Sequence, residues 1–521
     1  MDRSNRRTFL ADVSRGMLIA GVGYGTAVDL GLTRACAAEA EAAASKPLTF
    51  GAREELVCLL QETPVDKLLP LLVARLKNGQ DLKELVAAGA LANARTFGGE
   101  DYIGFHTFMA MSPAWAMSQE LPAERRAIPV LKVLYRNSKR LQDQGGRKSE
   151  KLATVIPSDG KPAAQAGERL RTAVEQRNYQ AAEAALAAAG DADAAFNTLL
   201  AAVTEGADVH RIVLASRCVD MLKIVGIEQA QTMLRQSVHY CVKEEAWNRK
   251  RHPEMRTLLP QLLDQHKLAG KPAGTRVAED AWVEELGRTI FQATPARAAD
   301  AVAAALAEGF TPDAVGLAIA LATNELILRD SGRTGKQVQE GKPEGSVHGD
   351  SIGVHACDSA HAWRTMAAAA NDRNRNACLI LAGYQAALDR IERGGDFLNW
   401  QPRPTDEVLK RVAANDTESL LKELNGSIRE NDQERACAVV RRIGMLGYPP
   451  RPVFETLLKY ACSEEGALHA EKFYRTTSEE FAAARPAHKW RQLIALARVT
   501  ASECNQPAAG YAEACKLLGV G

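Results

Sequence analysis

Histidine is scarce in this chain, 10 of 521 residues, yet four of the ten recur after similar stretches of sequence. His106, His210, His355 and His469 each follow a helix-length stretch that ends in glycine, at Gly79, Gly190, Gly309 and Gly447, and then a second apolar stretch. Imidazole in its neutral form is the commonest protein ligand of transition metals. The segments that begin at these residues, HTFMAMSPAWAM, HRIVLASRCVDML, HACDSAHAWRTM and HAEKFYRTTSEEF, continue with apolar and small residues at helical spacing. Each histidine is therefore expected in the first turn of a helix, where the partial positive charge of unpaired amides disfavours imidazolium. Brought to one centre, four such rings make a metal site. Taken singly, each reads equally well as a core histidine satisfied by a hydrogen bond.

Two of these segments carry further groups. His361 lies six residues after His355, about 240° away on a regular helix, so the two share a face only if the helix starts irregularly. Lys472, three residues after His469, does share its face. A lysine buried beside bound cations favours the neutral amine. That amine ligates weakly or takes up carbon dioxide as an anionic carbamate, which would offset a charge that four imidazoles cannot. Asp358 and Glu471 read either as partners that fix an imidazole tautomer or as solvated helix charges.

HACDSAH and HAEKFYR resemble the H-x-x-x-S-x-H and H-x-x-K-x-x-R patterns of questin oxidase-like proteins, an all-helical group that includes oxygenases opening anthraquinone-type rings. The resemblance covers short motifs scattered over most of the chain. It implies a mononuclear non-heme iron, Fe(II), held by several histidines and a carboxylated lysine. Carried onto this sequence, His355 and His361 fall on the first pattern, and His469, Lys472 and Arg475 on the second. His106 and His210 match by order along the chain. The ligand set so implied is His106, His210, His355, His361, His469 and Lys472, with Lys472 and Arg475 as catalytic groups and another divalent metal as an alternative to iron. The segments FHTFMAM and VHRIVLAS depart from the family, which is richer in histidine there.

The elements that must position these groups are also legible. DKLLPLLVARLKNG, NYQAAEAALAAAG, RAADAVAAALAEG and QERACAVVRRIGMLG read as helices closed by glycine, and the stretches after them open on Asp or on Pro with Thr, which suit helix starts. The expected unit is a helical hairpin followed by a histidine helix. Four units of roughly a hundred residues would pack around a common core in an all-α fold. In the third unit the polar, glycine-rich stretch at 329–352 reads as an inserted surface loop. Trp490, Leu493, Leu496 and Val499 mark one side of an amphipathic helix expected to cap the array. His239 reads as structural, and His252, His266, His348 and His488 as surface residues. A substrate pocket is expected among Phe105, Met109, Met111, Trp115 and Trp363, residues that serve by default as core.

Residues 1–37 resemble a twin-arginine export signal: Arg6-Arg7 with Phe9-Leu10, a glycine-diluted apolar segment, then Arg34 and Ala35-Cys36-Ala37. Residues 38–521 are then one exported, periplasmic or extracellular domain with no stable membrane insertion. The other nine cysteines form no C-x-x-C pair and read as small buried hydrophobes. A net charge of +1 offers no basic face for nucleic acid. Phosphate loops, nucleophile elbows, zincin motifs and dinucleotide fingerprints are absent from the sequence. The expectation is a non-heme iron oxidoreductase taking dioxygen and an aromatic or quinone-like small molecule. The rival is a non-catalytic exported helical repeat protein that binds another protein.

Overall fold

The computed structural model describes residues 47–155 and 165–520; the export signal read at 1–37 lies outside the described residues. Among the described residues there are 23 α-helices and no β-strand, only isolated bridges. The fold is all-α. The first group of helices is α1 (Glu54–Glu62), α2 (Val65–Lys77), α3 (Leu82–Phe97), α4 (Tyr102–Glu120) and α5 (Ala127–Asp143). The second is α6 (Ala166–Glu175), α7 (Tyr179–Ala187), α8 (Ala192–Val203), α9 (Val209–Val225) and α10 (Ala230–Arg251), with α11 (Met255–Gln265) as connector. The third is α12 (Asp280–Gln292), α13 (Pro295–Ala307), α14 (Pro312–Arg329), α15 (Ile352–Ala369) and α16 (Asp372–Arg393), with α17 (Asp406–Lys410) behind it. The fourth is α18 (Thr417–Arg429), α19 (Gln433–Met445), α20 (Arg451–Ser463), α21 (His469–Ala483) and α22 (Trp490–Glu503), and α23 (Tyr511–Leu518) ends the chain. This order is compatible with four helical units, each with one further helix before and one after the three that the sequence pattern marks.

Local chemistry sets the boundaries. Gly79, Gly190, Gly309 and Gly447 follow the second helix of each group with φ of 91°, 96°, 85° and 72°. A Cβ there would meet nothing within 4 Å, so the constraint is left-handed backbone and not crowding. The third helices start on side-chain caps in three groups: Asp81 accepts from the Lys83 amide, Asp191 from Ala194 and Thr311 from Ala314.

The fourth helices, α4, α9, α15 and α21, form a closed ring. The α4 helix packs on α9, α9 on α15, α15 on α21 and α21 back on α4. At the periphery α23 packs on α2 and α5, so the last element covers the first group. The α22 helix is therefore no exposed cap: Leu493, Leu496 and Val499 are buried, but so are Gln492, Arg498 and Glu503 on its other sides. Helix α22 packs between α19 and α21, and a closed ring needs no capping face.

The insert between α14 and α15 is only partly a surface loop. Asp330, Ser346, Val347 and His348 are buried. Arg393 grips Asp330 at 2.7 and 2.9 Å, and the Gly349 amide donates to Glu503 at 2.6 Å.

Candidate metal centre

Because each ring helix begins at the same end of the ring, residues in their first turns converge. His106 is the fifth residue of α4, His210 the second of α9, His355 the fourth of α15 and His469 the first of α21. Asp101, Asp208 and Ser351 cap the first three of these helices. Helix α21 has no side-chain cap and is entered through Gly466, Ala467 and Leu468 at φ of 46°, 47° and 66°. Two non-glycine residues in that region are costly and are retained where a fixed entry matters; here they deliver His469 as the first helical residue.

The four rings form one cluster. Ring centroids are 4.8 Å apart for His106 and His210, 6.0 Å for His210 and His355, 5.0 Å for His355 and His469, and 5.4 Å for His469 and His106. His355 and His469 meet Nε2 to Nε2 at 3.0 Å. Two nitrogens bonded at about 2.1 Å to one metal stand about 3.0 Å apart at a right angle, so this pair already has the separation of adjacent ligands. Nε2 of His106 and of His210 is buried without a partner. A buried polar atom with no hydrogen bond costs stability and calls for an explanation. Their other nitrogens are occupied: His106 Nδ1 donates to the Tyr102 carbonyl at 2.7 Å, and His210 Nδ1 lies 3.4 Å from Asp208 Oδ1. His106, with its proton on Nδ1, thus presents a bare Nε2. Among the described residues no group of three or more His, Cys, Asp or Glu side chains is placed to hold a metal ion. In chemical type, the imidazole donors, the orphaned nitrogens and the 3.0 Å pair suit a divalent cation.

Electrostatics disfavour protonation of three of the rings, His106, His355 and His469. Burial pushes His106 and His469 well below the ordinary imidazole range, helped by the Lys472 charge and by the neighbouring rings. Burial likewise lowers His355 to about 3, with His210 and Lys472 adding to the effect. Lys472 is buried and has its own proton affinity lowered to about 8 by desolvation, against the opposing pull of Asp358 and Glu471. Its charge acts on His106, His355 and His469, which makes it a neighbour of the cluster. On the outer side His210 and His355 are partly open, and Tyr102, 63 % exposed, sets its ring 4.5 Å from His106 and 5.7 Å from His210.

Other expected site residues lie elsewhere. His361 is turned away: its Nδ1 is 2.8 Å from Glu480 and its Nε2 2.7 Å from Glu479, and Arg364 also pairs with Glu480. The regular start of α15 leaves the 240° offset uncorrected, so His361 drops out of the ligand set. Arg475, six residues after His469, is displaced for the same reason. It donates to the Ser112 carbonyl at 3.0 Å and pairs with Asp220 and Glu479, bracing α21 against α4 and α9 and leaving no contact with the rings. Asp358 accepts from Thr476 at 2.7 Å, and Glu471 pairs with Lys132 at 2.7 Å, so neither fixes a ring.

Of the expected pocket residues only Phe105 borders the cluster, its ring 5.0 Å from His106 and 5.2 Å from His210. Met109, Met111 and Trp363 are core, with Trp363 donating to Gln385 at 2.8 Å. His239 is structural as read, bridging Glu100 and Glu183 at 2.9 Å each. His252, His348 and His488, expected at the surface, are buried, His348 between Asp350 and Glu503. His266 keeps partial exposure and pairs with Asp300 at 2.8 Å.

The sequence reading missed Asp208, Tyr102 and Tyr240. The D-x-H spacing of Asp208 and His210 at a helix start was the available signal, since a capping carboxylate there stands beside the ring two residues on. All nine described cysteines are free thiols. No described helix is long and apolar enough to cross a membrane. No protein-family model, curated protein or solved structure matches the chain.

Proposed function

We infer that the four imidazoles hold one divalent cation, iron(II) in the reading that the motif resemblance favours, and that the protein is an exported questin oxidase-like oxygenase acting on an aromatic or quinone-like substrate. The observation that carries this is the pair of buried, partnerless Nε2 atoms on His106 and His210 beside the 3.0 Å contact of His355 and His469. The residues present would supply a neutral nitrogen donor from each of four helices. Iron(II), when bound, supplies electrons to dioxygen.

The chain's own groups do the rest. Neutrality of His106, His355 and His469 at ordinary pH leaves their lone pairs free, because burial disfavours the charged ring. The Tyr102 carbonyl holds the His106 tautomer. Phe105 and Tyr102 give the outer side an aromatic wall, suited to a flat apolar ligand by offset or edge-on ring contact. Lys472 supplies either a neutral amine or, as the resemblance implies, a carbamate that offsets the cation's charge.

A second reading is a non-catalytic exported helical protein in which a cation clamps the ring of helices. It is favoured by clefts that lie away from the rings, among them a 380 Å³ cleft bordered by His361, Arg364, Arg375 and Glu479. Metal analysis after anaerobic ferrous loading, followed by exposure to dioxygen with a quinone substrate, separates the two. Dioxygen consumption dependent on that substrate supports the oxygenase; stoichiometric metal without it supports the clamp.

A further inference from the structure

His210 is the one ring of the four with a carboxylate at its outer nitrogen. Asp208 caps α9, and its two oxygens have divided tasks. Oδ2 accepts from the Arg211 amide at 3.2 Å and from the Tyr240 hydroxyl, while Oδ1 faces His210 Nδ1 at 3.4 Å. Tyr240 comes from α10 and is itself buried, its ring 5.2 Å from Phe105 and 6.4 Å from His210. With two donors fixed on Oδ2, Asp208 cannot rotate away, and Oδ1 can only accept. An Nδ1 proton on His210 is then the one Oδ1 can accept, and the buried Nε2 of the same ring has no hydrogen-bond partner.

We propose that Asp208, clamped by Tyr240, is a positioning residue that selects the metal-binding tautomer of His210 and brings a negative charge to an otherwise neutral donor set. The proposal rests on the metal reading above. Carboxylate–imidazole–metal arrangements of this kind orient the ring and raise its basicity, and their loss weakens metal binding by about 10- to 100-fold.

Asp208→Asn is the informative change, because asparagine caps a helix about as well as aspartate and so preserves the start of α9. The Tyr240 hydroxyl and the Arg211 amide both need an acceptor, so the single amide oxygen takes the place of Oδ2. The amide NH2 then faces His210 Nδ1, which must become an acceptor, and the proton moves to Nε2, where it blocks the lone pair. Tyr240→Phe removes the clamp and leaves the charge.

The experiment uses cobalt(II) as the probe, titrated into the mature wild-type, Asp208→Asn, Tyr240→Phe and His469→Ala proteins. Dissociation constants and the visible cobalt spectrum are read, together with ring nitrogen shifts of the metal-free, 15N-histidine-labelled proteins. Expected are a 10- to 100-fold weaker constant and an altered spectrum for Asp208→Asn. A new Nε2-protonated signal should appear for His210, with a smaller loss of affinity in Tyr240→Phe. Unchanged affinity, spectrum and tautomer in Asp208→Asn would overturn the proposal while leaving the metal reading intact. Failure of the wild-type protein to bind cobalt, so that His469→Ala makes no difference, would overturn both.

Discussion

His355 and His469 are separated by 114 residues, yet their Nε2 atoms lie 3.0 Å apart. Two neutral rings in that position share a single proton, or they share a cation. The same cluster holds two further Nε2 atoms that no protein group satisfies, which supports the shared cation proposed above.

His106, His355 and His469 are already neutral in the folded protein, so metal uptake at pH 7 releases little from them. Lys472 differs. With its proton affinity near 8 it is mostly protonated at pH 7, so an amine that gives up its proton to serve the site releases about 0.9 proton per cation. Calorimetry in buffers of different ionisation enthalpy should find close to one proton for wild type and close to none for Lys472→Met. Binding should therefore strengthen as pH rises through 8 in the wild type alone.

Acid should destabilise the metal-free protein through the same rings. The unfolded chain protonates His355 near pH 6.5, whereas the folded chain refuses the proton down to about 3. Between those values the unfolded state binds more protons, so stability falls as pH falls, by about 1 kcal/mol per pH unit for this residue. His355→Gln should lose stability less steeply below pH 6.5 in urea titrations. Its curve should run parallel to wild type above that pH.

His361 gives the opposite pattern to the cluster residues. Its ring is held between Glu479 and Glu480, which raise its proton affinity despite burial. Its contribution is thus present below pH 6.5 and fades as pH rises through its higher folded value. His361→Ala should cost about 3 kcal/mol near pH 6 by leaving Glu480 and Arg364 poorly compensated. Metal stoichiometry should stay at the wild-type level, which checks that His361 is no ligand.

The glycines separate conformational from steric demands. Gly309→Ala, in open space at φ 85°, should cost about 1 kcal/mol in urea denaturation. Gly99→Ala places a methyl group 2.2 Å from the Gln236 carbonyl oxygen at φ 84°, and should cost several times more or prevent folding.

Helix positions were largely legible because glycine stops and Asp, Thr or Pro starts act within a few residues of chain. The ends predicted around Gly190 and Asp191, for example, match α7 and α8. Convergence of His106, His210, His355 and His469 was legible from their equivalent offsets, since similar units packed in a ring carry similar positions to one place. His361 and Arg475 were misassigned because a motif spacing of six was carried over without the irregular helix turn it requires. Asp208 escaped because its value depends on Tyr240 and on which oxygen each donor occupies, relations that only tertiary packing creates. The buried state of His348 and His488 was hidden for a similar reason, as carboxylates from distant helices surround them.

Metal content measured after anaerobic ferrous loading and desalting tests the central claim most directly. The four-imidazole centre predicts close to one metal per chain for wild type, a large loss for both His106→Ala and His469→Ala, and no loss for His361→Ala. A wild-type chain that retains no metal, or that retains as much after His106 and His469 are removed, would contradict it.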